Sequence, residues 1–168
     1  IGIVGISGRM GKAIAINVLE SSETKLEAGS EKKNHSSINK DIGLLLGKEM
    51  LGINVTSKKE EFFKNIDVVI EFGLGKATRE YLKEAKKYGI AFLSGSTGID
   101  KQTERQLKEA AEKIPVFWSP NMSIGANIVK EVSGLVAEKL PSEFDIDITD
   151  LHHKNKKDIP SGTAIAIN

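Results

Sequence analysis

The heptapeptide Gly5-Ile6-Ser7-Gly8-Arg9-Met10-Gly11 decides the fold of this chain. A β-branched apolar run, 1–6, leads into it, and the apolar residues of 10–19 recur at helical spacing after it. Strand, glycine turn and helix in this order form a G-x-x-G-x-x-G variant of the motif that binds dinucleotides. Its glycines allow a tight turn and a close approach to a pyrophosphate, whose charge the amides at the helix N-terminus attract. The same pattern also fits a glycine-rich turn that binds nothing.

The chain repeats this order of strand, turn and helix up to Asn121. Apolar runs predict strands at 1–6, 26–30, 53–56, 67–72, 90–93 and 115–118. Helical spacing predicts helices at 10–19, 76–88 and 101–113, and a capping box at 57–60 predicts a further short helix. Parallel strands need crossover helices that cover the sheet. The sequence therefore predicts an α/β fold, with a Rossmann-type parallel-sheet domain over 1–121.

The sequence pattern changes after Asn121. Residues 124–140 predict one long helix, 144–151 alternate as an amphipathic strand would, and 163–168 begin another helix. A lone strand has no partner, and one short helical segment is marginal in water. We therefore predict that 122–168 form the first part of an α+β second domain whose remainder is absent.

Composition and charge exclude several classes of function. The 168 residues include Lys+Arg 24 against Asp+Glu 23, and the net charge of +1 gives no field that would attract nucleic acid or an anionic membrane, so neither is predicted as a partner. The chain has no cysteine, which removes disulfides, thiolate nucleophiles and Cys-type zinc or iron–sulfur sites, and which suits a cytoplasmic protein. No apolar run approaches the ~18 residues of a membrane span.

An acidic residue supports the nucleotide interpretation. Glu31 lies 20 residues after Gly11, near the end of the second predicted strand, where a carboxylate can accept hydrogen bonds from the adenosine ribose. Lys32 and Lys33 follow directly and could neutralise a 2′-phosphate. These competing signals predict that Glu31 and Lys32 contact the cofactor and that both NADH and NADPH are accepted. Alternatively, the lysines are only the solvated start of the polar loop 31–40.

A second cluster of functional side chains lies in the segment from Leu151 to Thr163, which holds two adjacent histidines and three lysines. A metal site is disfavoured because adjacent histidines on an extended chain point to opposite sides, and because the lysines would repel a divalent cation. The cluster could be an exposed basic loop without function. However, Pro160-Ser161-Gly162-Thr163 at a predicted helix start offers amides and hydroxyls to a carboxylate. Together these groups predict a pocket for a small polyacid.

Motifs along essentially the whole chain resemble the 4-hydroxy-tetrahydrodipicolinate reductase family, also called dihydrodipicolinate reductase, of the diaminopimelate and lysine pathway. The most specific motif is the His-His-x-x-Lys-x-Asp-x-Pro-Ser-Gly-Thr string from His152 to Thr163. The others are Gly5–Gly11, Val69-Ile70-Glu71-Phe72, Gly95-Ser96-Thr97-Gly98, and Ser119-Pro120-Asn121-Met122-Ser123 followed by Gly125 and Asn127.

The resemblance implies an enzyme that uses NADH or NADPH to reduce a small cyclic dicarboxylate, 4-hydroxy-tetrahydrodipicolinate. It implies that Gly5, Ile6, Ser7, Gly8, Arg9 and Met10 hold the pyrophosphate, Glu31 the ribose, and Gly95, Ser96, Thr97, Ser119, Pro120, Asn121 and Met122 the nicotinamide half. It also implies His152 and Lys156 as catalytic residues and His153, Gly162 and Thr163 as substrate-binding residues. The family's second domain builds a homotetramer, and the hinge between the domains is expected at 121–123.

The chain departs from the family pattern at a few positions. Gly73 stands where many members have Thr, and Ser96 replaces the first Thr of the usual Gly-Thr-Thr-Gly. Lys154 and Asn155 occupy positions that are often Arg and His. The family's chain is also longer at its C-terminus. Two other functions stay open from the sequence, namely an NAD(P)-binding regulator without catalysis and another oxidoreductase, although the absence of cysteine excludes the thiol-dependent semialdehyde type.

Overall fold

The computed structural model describes residues 1–73, 75–152, 154 and 161–167. The chain divides into two compact units, Ile1–Ser119 and Pro120–Asn168, which we call unit 1 and unit 2. The boundary lies close to the domain border that the sequence predicts after Asn121, and that border stays a prediction.

Unit 1 is built on one five-stranded parallel sheet. Its strands are β1 (Gly2–Val4), β2 (Ala28–Ser30), β3 (Val68–Glu71), β4 (Ala91–Ser94) and β5 (Val116–Trp118). They lie in the order β2-β1-β3-β4-β5, and every neighbouring pair is parallel. This arrangement confirms the predicted α/β fold. The chain leaves β1 toward β2 and later returns to the other side of β1 with β3, so the strand order reverses there, and the crevice at the carboxyl ends of such strands is where open α/β sheets bind ligands.

Helices follow most strands. In unit 1 they are α1 (Arg9–Glu20), α2 (Ile42–Leu45), α3 (Lys59–Phe62), α4 (Gly75–Tyr88) and α5 (Lys101–Ala111); unit 2 contains α6 (Ile124–Lys139) and α7 (Gly162–Ile167). The long predicted helices are confirmed to within two residues at each end. The short helix α2 was not predicted from the sequence.

The core of unit 1 consists of two apolar clusters on opposite faces of the sheet. Ile3 and Val4 are adjacent on β1 and belong to different clusters, as the alternation of side chains along a strand requires. The larger cluster includes Phe62, Phe92 and Leu107. Because apolar residues cover both faces of the sheet, the strands hold the loops at its carboxyl edge in place.

The predicted strand at 53–56 is wrong. Its residues form only isolated bridges, Asp41 with Asn54 and Ser30 with Thr56. The Val55 amide donates to the Lys40 carbonyl, whereas the Thr56 amide donates to the Gly29 carbonyl. The segment therefore changes partners within two residues, and neither pairing becomes long enough to be a strand.

The capping box predicted at 57–60 is also wrong. The N-cap of α3 is Lys58, without a capping side chain of its own among the described residues. Instead the Thr56 hydroxyl accepts from the Lys58 amide at 3.1 Å and donates to Glu61 at 2.7 Å. Thr56 therefore stabilises the turn into α3, one residue before the predicted cap.

The helical apolar pattern of 10–19 is confirmed as α1. Gly11, Ala15 and Val18 are buried and Ile14 and Leu19 pack against the core, whereas Met10 at the start of the helix is exposed.

The amphipathic strand predicted at 144–151 is wrong. The described residues of 144–151 contain no strand, and Phe144 and its apolar neighbours are exposed. Alternation alone does not make a strand where no partner strand lies alongside.

Candidate functional site

The glycine turn joins the end of β1 to the start of α1. Gly5 has a φ of 72°, a backbone conformation that residues with side chains rarely adopt. Its amide donates to the Ser30 carbonyl at 2.9 Å, which ties the turn to the end of β2. A Cβ at Gly11 would overlap the Gly5 carbonyl group, so glycine is required for this close packing of helix on turn.

The start of α1 fits a pyrophosphate. The helix begins after Gly8, and no described side chain caps its first turn. Gly8 and its neighbours Arg9 and Met10 are exposed to solvent. An uncapped N-terminus of a 12-residue helix at the carboxyl edge of a parallel sheet offers amides and a favourable dipole to a phosphate anion.

The Glu31 carboxylate lies against this turn. It accepts a hydrogen bond from the Ser7 amide at 3.1 Å and a second from the Ser7 hydroxyl. His35 lies beside them, with Nε2 3.5 Å from the Ser7 hydroxyl oxygen and Nδ1 2.6 Å from the Ser37 hydroxyl oxygen. The acid singled out by its spacing is thus held at the turn, and Lys32 and Lys33 next to it are exposed.

The loop after β4 carries Gly95, Ser96 and Thr97. The Gly95 amide donates to the Glu71 carbonyl at 2.8 Å, and a Cβ at Gly95 would overlap the Phe72 ring. Ser96 is buried, and its carbonyl accepts from Trp118 Nε1 at 3.0 Å. Thr97 is exposed. The structure therefore places this predicted cofactor loop at the same edge of the sheet as the glycine turn, because both follow the carboxyl ends of parallel strands.

Sequence reasoning missed the role of Glu71. This residue ends β3, is fully buried, and its carboxylate accepts from the Thr78, Ser94 and Ser96 hydroxyls. The signal was available, because an acidic residue inside the apolar run Val68–Phe72 is unusual for a buried strand.

The segment 119–122 crosses the boundary between the units. Ser119 ends unit 1, where its amide donates to the Ser94 carbonyl at 3.1 Å. Pro120, Asn121 and Met122 open unit 2. Within that unit, Asn121 Oδ1 accepts from the Ser123 amide at 2.9 Å, and the Ser123 hydroxyl caps α6.

The histidine segment lies in unit 2. His152 Nε2 is 2.7 Å from Asp150 Oδ1, and Asp150 Oδ2 accepts from the Ser161 amide at 3.0 Å. The Ser161 amide, with His152 beside it, lowers the pKa of the Asp150 carboxyl below its usual value. Asp150 therefore fixes one ring nitrogen of His152 and links the histidine segment to the start of α7.

Two of the predicted substrate residues lie next to this contact. Gly162 is the first residue of α7, and the Thr163 hydroxyl lies 3.4 Å from Asn121 Nδ2. The Ser161 hydroxyl accepts from the Ala164 amide at 3.0 Å, which caps α7. Lys156 and His153 lie outside the described residues.

Within 1–73, 75–152, 154 and 161–167, no group of three or more His, Cys, Asp or Glu side chains could hold a metal ion. In the same part of the chain, none of the helices is both long and apolar enough to cross a membrane.

Family models match nearly the whole chain. The model described as "Dihydrodipicolinate reductase, N-terminus" matches residues 1–122, and the one described as "Dihydrodipicolinate reductase, C-terminus" matches residues 125–168. The chain belongs to the dihydrodipicolinate reductase family. This confirms the resemblance found in the motifs.

Curated relatives carry the corresponding enzyme name. The chain is 38% identical over 165 residues to the 4-hydroxy-tetrahydrodipicolinate reductase of Syntrophobacter fumaroxidans, which covers 98% of this chain and 62% of the relative. It is 36% identical over 167 residues to the enzyme of the same name from Magnetococcus marinus, covering 99% and 62%. The chain thus spans about 62% of the length of these relatives.

Solved structures show the same fold. The dipicolinate-bound dihydrodipicolinate reductase from Paenisporosarcina sp. TG-14 matches with a TM-score of 0.76 and 24% identity, over 99% of this chain and 62% of that one. An aspartate semialdehyde dehydrogenase with NADP from Candida albicans matches with a TM-score of 0.56 and 16% identity, over 82% and 46%. At these identities the likeness concerns the fold alone.

Proposed function

We propose that this chain binds NADH or NADPH through unit 1 and takes part in the reduction of 4-hydroxy-tetrahydrodipicolinate to tetrahydrodipicolinate. The observation that supports it most is the uncapped start of α1 beside the Glu31 carboxylate, at the point where the strand order of the sheet reverses. Membership of the dihydrodipicolinate reductase family supports the reaction and the small dicarboxylate substrate. The cytoplasmic location and the homotetramer of the family are part of the same proposal.

Different groups of unit 1 would bind different parts of the cofactor. The amides after Gly8 would bind the pyrophosphate. Glu31 would accept hydrogen bonds from the ribose hydroxyls in place of the Ser7 hydroxyl that it now accepts from. The loop 95–97, with residues 119–122, would contact the nicotinamide half. The reduced nicotinamide supplies the hydride when it is bound.

The exposed cations beside Glu31 bear on the choice between the two cofactors. A carboxylate at this position favours NADH, because it repels a 2′-phosphate. Lys32 and Lys33 are exposed and able to turn toward such a phosphate, which favours NADPH. We therefore propose that both cofactors bind.

Unit 2 would supply the proton and the substrate contacts. Asp150 contacts His152 at Nε2, and Nδ1, the other ring nitrogen, would exchange a proton with the substrate. Gly162 and Thr163 at the start of α7 would bind a substrate carboxylate. Following the family resemblance, Lys156 donates a proton and His153 binds the substrate.

Titration of the 168-residue chain with NADH tests the cofactor part of the proposal. Trp118, the single tryptophan, lies against the Ser96 carbonyl and reports binding through its fluorescence. Glu31→Ala should weaken NADH binding by about 10- to 100-fold, as expected for the loss of hydrogen bonds to a charged group. Glu27→Ala is the matched control, because Glu27 lies just before β2 and pairs with Lys25. Equal weakening by both variants would contradict the role of Glu31.

Cofactor oxidation in the presence of freshly generated substrate tests the reaction. We expect a substrate-dependent loss of the absorbance of the reduced nicotinamide. Binding of NADH without any oxidation would instead favour the non-catalytic NAD(P)-binding regulator.

A further inference from the structure

A buried carboxylate joins four parts of unit 1. Glu71 is at the carboxyl end of β3 and is 0% exposed. Its oxygens accept from the Gly73 amide, from the Thr78 hydroxyl of α4 at 2.9 Å and from the Ser94 hydroxyl of β4 at 2.8 Å. The Ser96 hydroxyl lies 2.9 Å from Oε2 and 3.0 Å from Oε1.

We propose that Glu71 is a positioning residue, which holds the loop 95–97 in the shape that contacts the nicotinamide half of the cofactor. This inference rests on the proposed function, because it assumes that the loop binds that half. No motif of the sequence analysis gave Glu71 a role of its own.

The hydrogen bonds of Ser96 carry the argument. Its hydroxyl is bound by Glu71 and also lies 3.0 Å from the Gly73 carbonyl. Its amide donates to the Ser94 hydroxyl oxygen at 3.2 Å, and its carbonyl accepts from Trp118 Nε1 at 3.0 Å. Two of these contacts lead back to Glu71, because Ser94 donates to the same carboxylate. Glu71 thus acts on the loop directly through the Ser96 hydroxyl and indirectly through Ser94, next to the contacts of Ser96 with Thr78 and Trp118.

The chemistry of the cluster explains why an acid is present. Burying a carboxylate is costly unless hydrogen bonds compensate for the lost water. Here one amide and three hydroxyls provide that compensation. Glutamine at this position would have one acceptor oxygen and an NH2 group, which is itself a donor. The hydroxyls that face the NH2 group would then be left without an acceptor.

The absence of a side chain at Gly73 leaves room for the Glu71 carboxylate. A Cβ at position 73 would lie 2.6 Å from Glu71 Oε1, which is too close for a non-bonded contact. The carboxylate cannot move away without losing the hydroxyls of Thr78, Ser94 and Ser96.

Two ligands distinguish a positioning role from a general effect on the fold. ADP-ribose lacks the nicotinamide, so the ratio of its dissociation constant to that of NADH measures the contribution of the nicotinamide half. We expect Glu71→Gln to weaken NADH binding by about 10-fold and to leave ADP-ribose binding unchanged. Equal losses for both ligands, or no loss for either, would overturn the proposal. A wild-type chain that binds neither ligand would overturn the proposed function and this inference with it.

Matched variants keep the test decisive if Glu71→Gln does not fold. Thr78→Val removes a buried hydroxyl that binds Glu71, and Thr103→Val removes a buried hydroxyl that binds Asp100. Only Thr78→Val should lower the affinity for NADH relative to ADP-ribose. Gly73→Ala should act in the same way, because its Cβ would displace the Glu71 carboxylate from these hydroxyls. Equal effects of the two threonine variants, or no effect of Gly73→Ala on NADH binding, would contradict the assigned role.

Discussion

Units 1 and 2 both contain amphipathic helices, but only unit 1 buries them. On α5, Leu107 is 4% exposed and packs in the larger apolar cluster under the sheet. On α6, Leu135 is 54% exposed, and no described residue of that helix is buried. The same residue type at the same helical spacing therefore has two different environments.

The difference shows that a helical pattern selects a face and that a second layer must cover it. In unit 1 the parallel sheet is that layer, since α1, α4 and α5 each pack against it through small or apolar side chains. Among the described residues of unit 2, α6 and α7 contact each other, but the apolar side chains of α6 at Ile128, Val132 and Leu135 stay exposed. Burial drives folding at roughly 25 cal/mol per Å² of apolar surface. The residues proposed to bind the pyrophosphate and the adenosine ribose lie on unit 1, which has its own apolar core.

The largest expected effect comes from truncating the same side chain in each unit. Leu107→Ala should lower the free energy of unfolding by about 2–5 kcal/mol, because it removes buried contacts and leaves a cavity. Leu135→Ala is the matched control and should change the free energy of unfolding by less than about 0.5 kcal/mol. Urea denaturation of the 168-residue chain, followed by circular dichroism, measures both. A loss at Leu135 as large as that at Leu107 would show that the face of α6 is covered in solution.

Local patterns predicted most of unit 1. The glycine turn and the apolar runs of β1, β3 and β4 carry their signals within a few residues, and the structure places them as expected. Glu31 could also be found, since its distance from Gly11 is set by the length of α1 and the return to β2.

The remaining features depend on contacts that are distant in sequence. Residues 53–56 have strand propensity, but the partner segments at 29–31 and 39–42 each pair with them only briefly. The role of Glu71 depends on hydroxyls that come from α4, β4 and the loop after it, up to 25 residues away. No local window contains that information. In unit 2, exposure of α6 could not be read from its pattern, which is that of a buried helix.

A smaller effect is expected from the N-cap of α5. The Thr103 hydroxyl and amide, together with the Arg79 guanidinium, lower the pKa of Asp100 from 3.8 to about 2. The unfolded state therefore takes up its proton first as the pH falls through 3.8, and the stabilisation present above that pH is lost as the pH approaches 2. Asp100→Ala should make the decline of unfolding free energy between pH 4 and pH 2 shallower. Denaturation midpoints at several pH values measure it, and an unchanged slope would contradict the assignment.

The smallest effect is expected from the corresponding carboxylate of unit 2. The pKa of Asp150 is also lowered, first by the Ser161 amide and then by His152. The shift has the same direction as that of Asp100, so protonation of Asp150 at low pH weakens its contact with Ser161. However, the described residues around it form no apolar core whose unfolding would be linked to that proton. Asp150→Ala should therefore leave the pH dependence of global unfolding unchanged, while the Ser161 amide, having lost its acceptor, exchanges its hydrogen with solvent faster. Hydrogen exchange followed by NMR separates the two outcomes. If Asp150→Ala changed the pH dependence of the unfolding free energy as much as Asp100→Ala does, unit 2 would unfold together with unit 1. The two units would then differ in their packing but not in their stability.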